Sequence, residues 1–165
     1  MPHPSTFSIA ACDLETPAWG VAVASKFLAV GAVVPWVRAG AGAVATQSFA
    51  NTAYGPQALE LMRQGLSAVE TMRRITQEDP ERALRQVGLV DARGEAATYT
   101  GEGCFEWAGG LTGPGYAIQG NILAGAGVVQ AMEQAFLQTQ GALAGRLHAA
   151  LLAGDRAGGD RRGRQ

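Results

Sequence analysis

Lysine is almost missing from this chain: Lys26 is the only one, and the other twelve basic residues are arginines. Histidine is nearly as scarce. His3 and His148 stand far apart with no cysteine or carboxylate set around them, so no metal site is expected. The two cysteines, Cys12 and Cys104, form no CxxC pair and read as small buried thiols. Charged residues make up only 16% of the chain and nearly cancel, leaving a net charge of −1. That balance removes the electrostatic case for nucleic acid or an anionic membrane as partner. No apolar run reaches the roughly 18 residues that a membrane span needs. The opening MPHPSTFS has neither a basic nor an apolar signal region, so a cytoplasmic protein is expected.

What is abundant is small and apolar. The 165 residues are 47% hydrophobic, enough for one domain with a real core. The 23 glycines are scattered, which points to tight turns and closely packed backbones rather than to a linker or a collagen repeat. The stretch Thr6 to Asn51 has almost no helical pattern. Residues 6–12 alternate, with Phe7, Ile9 and Ala11 on one face and Thr6, Ser8, Ala10 and Cys12 on the other. Residues 18–25 alternate again across the polar turn Asp13 to Pro17, which predicts a hairpin. The small face of its second strand, Gly20, Ala22 and Ala24, leaves room for another layer or a substrate. Residues 27–35 are apolar and end at Pro35. Residues 36–46 are expected to form one glycine-containing strand, and 46–56 a polar loop.

Helical spacing follows, from Leu59 to Met72. A capping box at Ser67–Glu70 divides this stretch into two helices near Gly65, and the second ends before Asp79-Pro80. Short strands are predicted at 86–91 and 95–100, a Gly-rich loop at 101–114 and a further strand at 115–122. Two more helices carry Val128, Met132 and Phe136, then Leu143, Leu147 and Leu151, with the break near Gly141. Strands, two helices, strands and two helices favour an α+β class with layers ordered helix, sheet, sheet, helix. Residues 1–154 read as one domain and 155–165 as a Gly/Arg-rich C-terminal segment without an apolar anchor.

Few residues offer chemistry. Thr6 opens the first strand. A threonine at a true N-terminus can activate its own hydroxyl through its α-amine, whose unperturbed pKa is about 7.7–8.0. That requires removal of the five residues ahead of it; otherwise Thr6 is a plain strand-edge residue. Lys26 ends the second strand, where it can stabilise an oxyanion or simply extend its amine into water. Gln47, Ser48 and Asn51 follow one strand, and Gln119 and Asn121 lie in another. Such groups suit recognition of an amide or carbonyl, and equally suit the satisfaction of buried backbone. Gly40 to Ala45 matches a loose G-x-G-x-x-A dinucleotide pattern, but no helix is predicted after it and no acidic residue ends a neighbouring strand at the required distance. No paired carboxylates and no Ser-His-Asp order stand out, and no cofactor is expected.

The motifs TFSIAACD, VAVASKFLAVGAVVPWVRAGAGAVATQSFAN with YGP after it, QVGLVDARG, YAIQGNILAG and the terminal GGDRRGRQ run in one order over almost the whole chain. In these the chain resembles a bacterial family of unknown function that is grouped with the Ntn (N-terminal nucleophile) hydrolases. The resemblance implies a four-layer α/β/β/α sandwich. Its opening hairpin also looks like that of proteasome β subunits and isoaspartyl peptidases. By that likeness Thr6 is the nucleophile position, with Lys26 assisting. Ser8, Gln47, Ser48, Asn51, Gln119, Asn121 and Asp160 are then the candidate substrate-binding residues.

The sequence departs from the pattern in three places. Thr6 has five residues before it, where family members commonly begin Met-Thr. Ala24 and apolar residues stand where the proteasome's supporting acid and lysine would be sought. The chain stops at Gln165, where the family usually continues into a Ser-led apolar strand. The last strands are therefore expected to be missing or to lie on a C-terminal partner fragment, and an open sheet edge favours a homo-oligomer. The expected activity is hydrolysis of a small amide or peptide-derived substrate. The alternative is a non-catalytic module of the same fold that binds or assembles, for example on cell-wall peptides.

Overall fold

The computed structural model describes residues 6–163; the lead-in, His3 and the end at Gln165 lie outside that range. The alternating stretches form β1 (Thr6–Asp13) and β2 (Ala18–Ser25), joined as the expected hairpin. The apolar run after Lys26 is not a strand. It forms a loop with a short 3₁₀ turn at Val30–Ala32, and Leu28 is 91% exposed. The single strand expected at 36–46 is two strands, β3 (Pro35–Arg38) and β4 (Gly42–Ser48), paired antiparallel. Gly40, at φ +73°, supplies the left-handed turn between them. That turn also removes the dinucleotide pattern, because its glycines serve a hairpin and no helix follows.

Next come α1 (Tyr54–Arg63) and α2 (Ala68–Gln77), divided at Gly65. The Ser67–Glu70 capping box is formed in both directions. Then follow β5 (Arg85–Asp91) and β6 (Ala96–Thr100). The Gly-rich loop holds a strand that the sequence pattern did not show, β7 (Gly109–Gly113), which pairs with β8 (Tyr116–Asn121). Glycines mask the alternation in β7: only Leu111 and Thr112 carry side chains beyond hydrogen. The helices α3 (Gly127–Gln138) and α4 (Leu143–Arg156) complete the fold.

The eight strands make two four-stranded antiparallel sheets, ordered β2-β1-β8-β7 and β3-β4-β5-β6. Period-two alternation puts each inner strand in two layers at once. Phe7, Ile9 and Ala11 of β1, with Tyr116 and Ile118 of β8, meet α3 and α4 in one apolar core. Val44, Val87 and Leu89 meet α1 and α2 in a second. The opposite faces of these strands meet one another: Ala10 and Cys12 pack on Ala43 and Val90 between the sheets. The room left by Gly20 on β2 is taken by α4, since a Cβ there would meet Leu147 at 2.7 Å. None of the helices of residues 6–163 is long and apolar enough to cross a membrane.

Candidate active site

The antiparallel register brings several polar strand ends to one end of the two sheets. Thr6 faces Ser25 on one side and Asn121 on the other. Its hydroxyl lies 3.1 Å from the Ser25 hydroxyl, and the residue is only 2% exposed. Ser25 Oγ also accepts from the Phe27 amide at 3.1 Å. The Ser25 partnership could have been read from the sequence: pairing Asp13 with Ala18 across the turn runs the register back to Thr6 and Ser25.

Behind Thr6 lies a buried polar network between the sheets, in which Gln119 Oε1 accepts no hydrogen bond from the described residues. Ser8 Oγ donates to Gln47 Oε1 at 2.6 Å and accepts from Gln119 Nε2 at 2.7 Å. Gln47 Nε2 donates to Gln86 Oε1 at 2.8 Å and to the Thr6 carbonyl at 3.3 Å. Gln86 Oε1 also accepts from Asn121 Nδ2 at 2.9 Å, while Gln86 Nε2 reaches the Gly120 carbonyl at 2.7 Å. All five side chains are buried. Ser8, Gln47, Gln119 and Asn121 are thus brought together, but as a layer that ties β1, β4, β5 and β8 to one another. Gln86, its hub, was not singled out from the sequence. Its place opposite Gln47 on the inner face of β5 was the available signal.

The other candidates lie around this layer. Ser48 ends β4 in a left-handed conformation, φ +66°, and Ile122 beyond β8 does the same at φ +55°. For residues other than glycine this backbone is strained, and such strain gathers at functional sites. Near Ser48 sits Cys104, whose thiol donates to the Arg85 carbonyl at 3.3 Å. Burial pushes the Cys104 thiol up, against opposing hydrogen bonds from Ser48 and Gly101, so it is not poised as a thiolate.

Asn51 is placed elsewhere. Its Nδ2 donates to Asp79 at 3.1 Å and its Oδ1 accepts from the Ala53 amide at the start of α1. Asp79 also accepts from Tyr54 and Arg85, each at 2.9 Å. Burial alone would raise the Asp79 pKa; these hydrogen bonds, with one from the Glu81 amide, outweigh it and hold the carboxyl well below the usual range.

Lys26 and Asp160 engage the C-terminal segment. Lys26 is exposed, and its Nζ donates to the Arg162 carbonyl at 3.0 Å rather than to Thr6. The buried Asp160 carboxylate accepts from the Arg162 amide at 2.8 Å and pairs with its guanidinium at 2.9 Å. A bridge from Leu123 to Asp160 and a bond from the Arg161 amide to the Ile122 carbonyl lay this segment along the end of β8. The missing apolar anchor is replaced by polar ones. No cluster of histidine, cysteine and carboxylate groups among the described residues could hold a metal.

The arrangement offers one hydroxyl pair, Thr6 and Ser25, at the head of a central strand, backed by a rigid amide layer. A proton can pass between the two hydroxyls. Within residues 6–163 no histidine or carboxylate bonds to the Thr6 hydroxyl, whose side-chain partner is Ser25; a free α-amine on Thr6 would be a base within the same residue.

Comparison with known proteins agrees with this architecture. Residues 6–165 match the model of a family described as "Family of unknown function (DUF1028)". A crystal structure of protein SPO2555 from Silicibacter pomeroyi, labelled with the same family, superposes with a TM-score of 0.89 at 35% identity. The match covers 93% of this chain and 71% of that one. No curated protein matches. The chain belongs to this family of unknown function.

Proposed function

We propose that this member of a family without a known function is an amide-bond hydrolase of the N-terminal-nucleophile type, with Thr6 as the nucleophile once Thr6 is the first residue. The observation that carries the reading is the position of Thr6 Oγ1. It sits at the head of β1, inside two face-to-face sheets covered by helices, and is 3.1 Å from a second hydroxyl. Two antiparallel sheets packed face to face with helices outside them support the reading as an Ntn-like sandwich, in which the nucleophile begins the first strand.

In the proposed reaction the Thr6 α-amine takes the hydroxyl proton as Oγ1 attacks the substrate carbonyl. The amide C–N bond breaks, the leaving amine takes that proton, and an ester to Thr6 remains. Water then attacks the ester carbonyl, the acyl C–Oγ1 bond breaks, the carboxylic acid leaves and Oγ1 regains its proton. Ser25 relays or holds the proton. Lys26 stabilises developing negative charge only after leaving the Arg162 carbonyl. Gln47 fixes the Thr6 backbone through its carbonyl, so the amide layer orients the nucleophile and does not itself bind substrate.

The test is a chain released from a cleavable fusion so that Thr6 is its first residue, assayed against a library of amino-acid and peptide amides. Thr6-first protein is expected to hydrolyse members of the library, and the Thr6→Ala form and the 165-residue chain to be inert. Equal activity in all three would end the proposal. A second reading, a non-catalytic binding module, is supported by the near-complete burial of Thr6. It expects a folded Thr6-first chain that hydrolyses nothing.

A further inference from the structure

A cavity of about 770 Å³ lies at the far end of β1, bounded by the β1–β2, β5–β6 and β7–β8 turns and the α3–α4 connection. The eight residues of β1 separate it from Thr6 by about 23 Å at strand rise. One wall carries Arg146. Its guanidinium lies 4.2 Å over the ring of the buried Phe136, and its Nε donates to the Phe136 carbonyl at 3.4 Å. Those two contacts fix the plane of the guanidinium. Both Nη groups lack a hydrogen bond or ion pair among the described residues, although the side chain is half-buried. A guanidinium held this way presents a fork suited to a carboxylate.

The rest of the lining carries both signs: Arg93, which pairs with Asp91, and the carboxylates of Asp13 and Glu15. Asp13 is locked by the Thr16 hydroxyl at 2.8 Å and by the amides of Glu15 and Thr16. The Thr16 bonds, with a smaller contribution from Arg146, hold its carboxyl below the usual range, so it is anionic at neutral pH. Asp13 and Arg146 feel each other yet form no ion pair. Two opposite charges that line one open cavity without closing on each other match a molecule that carries both signs. Leu14 and Leu137, about half exposed, add an apolar wall to the same cavity, and the Gly141 and Ala142 backbone borders it.

We propose that this cavity binds a zwitterion of the amino-acid or short-peptide class, its carboxylate on Arg146, its ammonium on Asp13 and an apolar side chain against Leu14 and Leu137. The site is independent of the Thr6 reading.

The experiment is a titration of the ¹⁵N-labelled full chain with alanyl-leucine, followed by backbone amide shifts. Saturable shifts are expected at Asp13 to Thr16 and at Gly141 to Arg146. Arg146→Ala and, separately, Asp13→Asn should each weaken binding about tenfold or more, about 1.4 kcal/mol. Alanyl-leucinamide and acetyl-alanyl-leucine, which each lack one charge, should weaken it similarly. If Arg146→Ala fails to fold, Asp13→Asn and the two blocked peptides still decide. No shifts at millimolar dipeptide, shifts elsewhere, equal binding by the variants, or equal binding of inorganic phosphate would overturn the proposal.

Discussion

The space between the two sheets has two unlike halves, built by the same strands. Toward Asp13 it is filled by Ala10, Cys12, Ala43 and Val90, small apolar groups that bring the sheets close. Toward Thr6 it is filled by Ser8, Gln47, Gln86, Gln119 and Asn121, every one buried and joined to another. An apolar layer holds sheets together without direction. An amide layer has direction, because each donor must meet its own acceptor and a slip of register leaves several groups unpaired at once. The polar half therefore fixes where Thr6 sits, and the apolar half supplies adhesion.

The hub of the polar half is the sharpest place to break this contrast. Gln86→Leu keeps the volume but removes the bonds that Oε1 accepts from Gln47 Nε2 and Asn121 Nδ2, and those that Nε2 donates to Thr100 Oγ1 and to the Gly109 and Gly120 carbonyls. Each buried hydrogen bond lost costs ~0.5–1.5 kcal/mol, so a loss of about 4 kcal/mol is expected in urea unfolding. A loss below ~1 kcal/mol would mean that the network contributes no specific stability.

Asp79 carries the polar end onto the helix side of the second sheet, and its variant comes next. Asp79→Asn leaves the largely buried Arg85 with only the exposed Glu81 as its charge partner and should cost about 3 kcal/mol at neutral pH. The sign with pH follows from the lowered pKa. The contribution of Asp79 is fully present above its unfolded value near ~3.9 and fades as pH falls toward the folded one. Unfolding followed from neutrality into acid should show parent and variant converging below about pH 4. A gap that stays constant to the lowest pH would refute the assignment.

The apolar half gives the smallest effect. Val90→Ala removes two methyl groups from a tightly packed layer and should cost about 2 kcal/mol, with no change in the amide shifts around Thr6. If it disturbs Thr6 as much as Gln86→Leu does, the two halves are not separate in role.

The sequence made the inner-strand alternation, the opening hairpin and the Ser67 cap legible, because these follow from local periodicity and local hydrogen bonding. It hid β7, whose glycines leave no pattern, and the turn at Gly40, where an apolar run looks the same straight or folded back. For the site, the residue types were legible but their partners were not. Gln47, Gln119 and Asn121 look alike whether they face a ligand or one another, and only the packing of two sheets separates the cases. Asn51 and Asp79 stand 28 residues apart, and no spacing rule joins them.

The most direct test of Thr6 as nucleophile is the intact mass of the Thr6-first chain after treatment with a peptidyl β-lactone. Ring opening by Oγ1 adds the whole reagent mass. The account predicts one adduct per chain, mapped to Thr6 and absent from Thr6→Ala. A folded Thr6-first chain that gains no mass, or gains it at another residue, would contradict it.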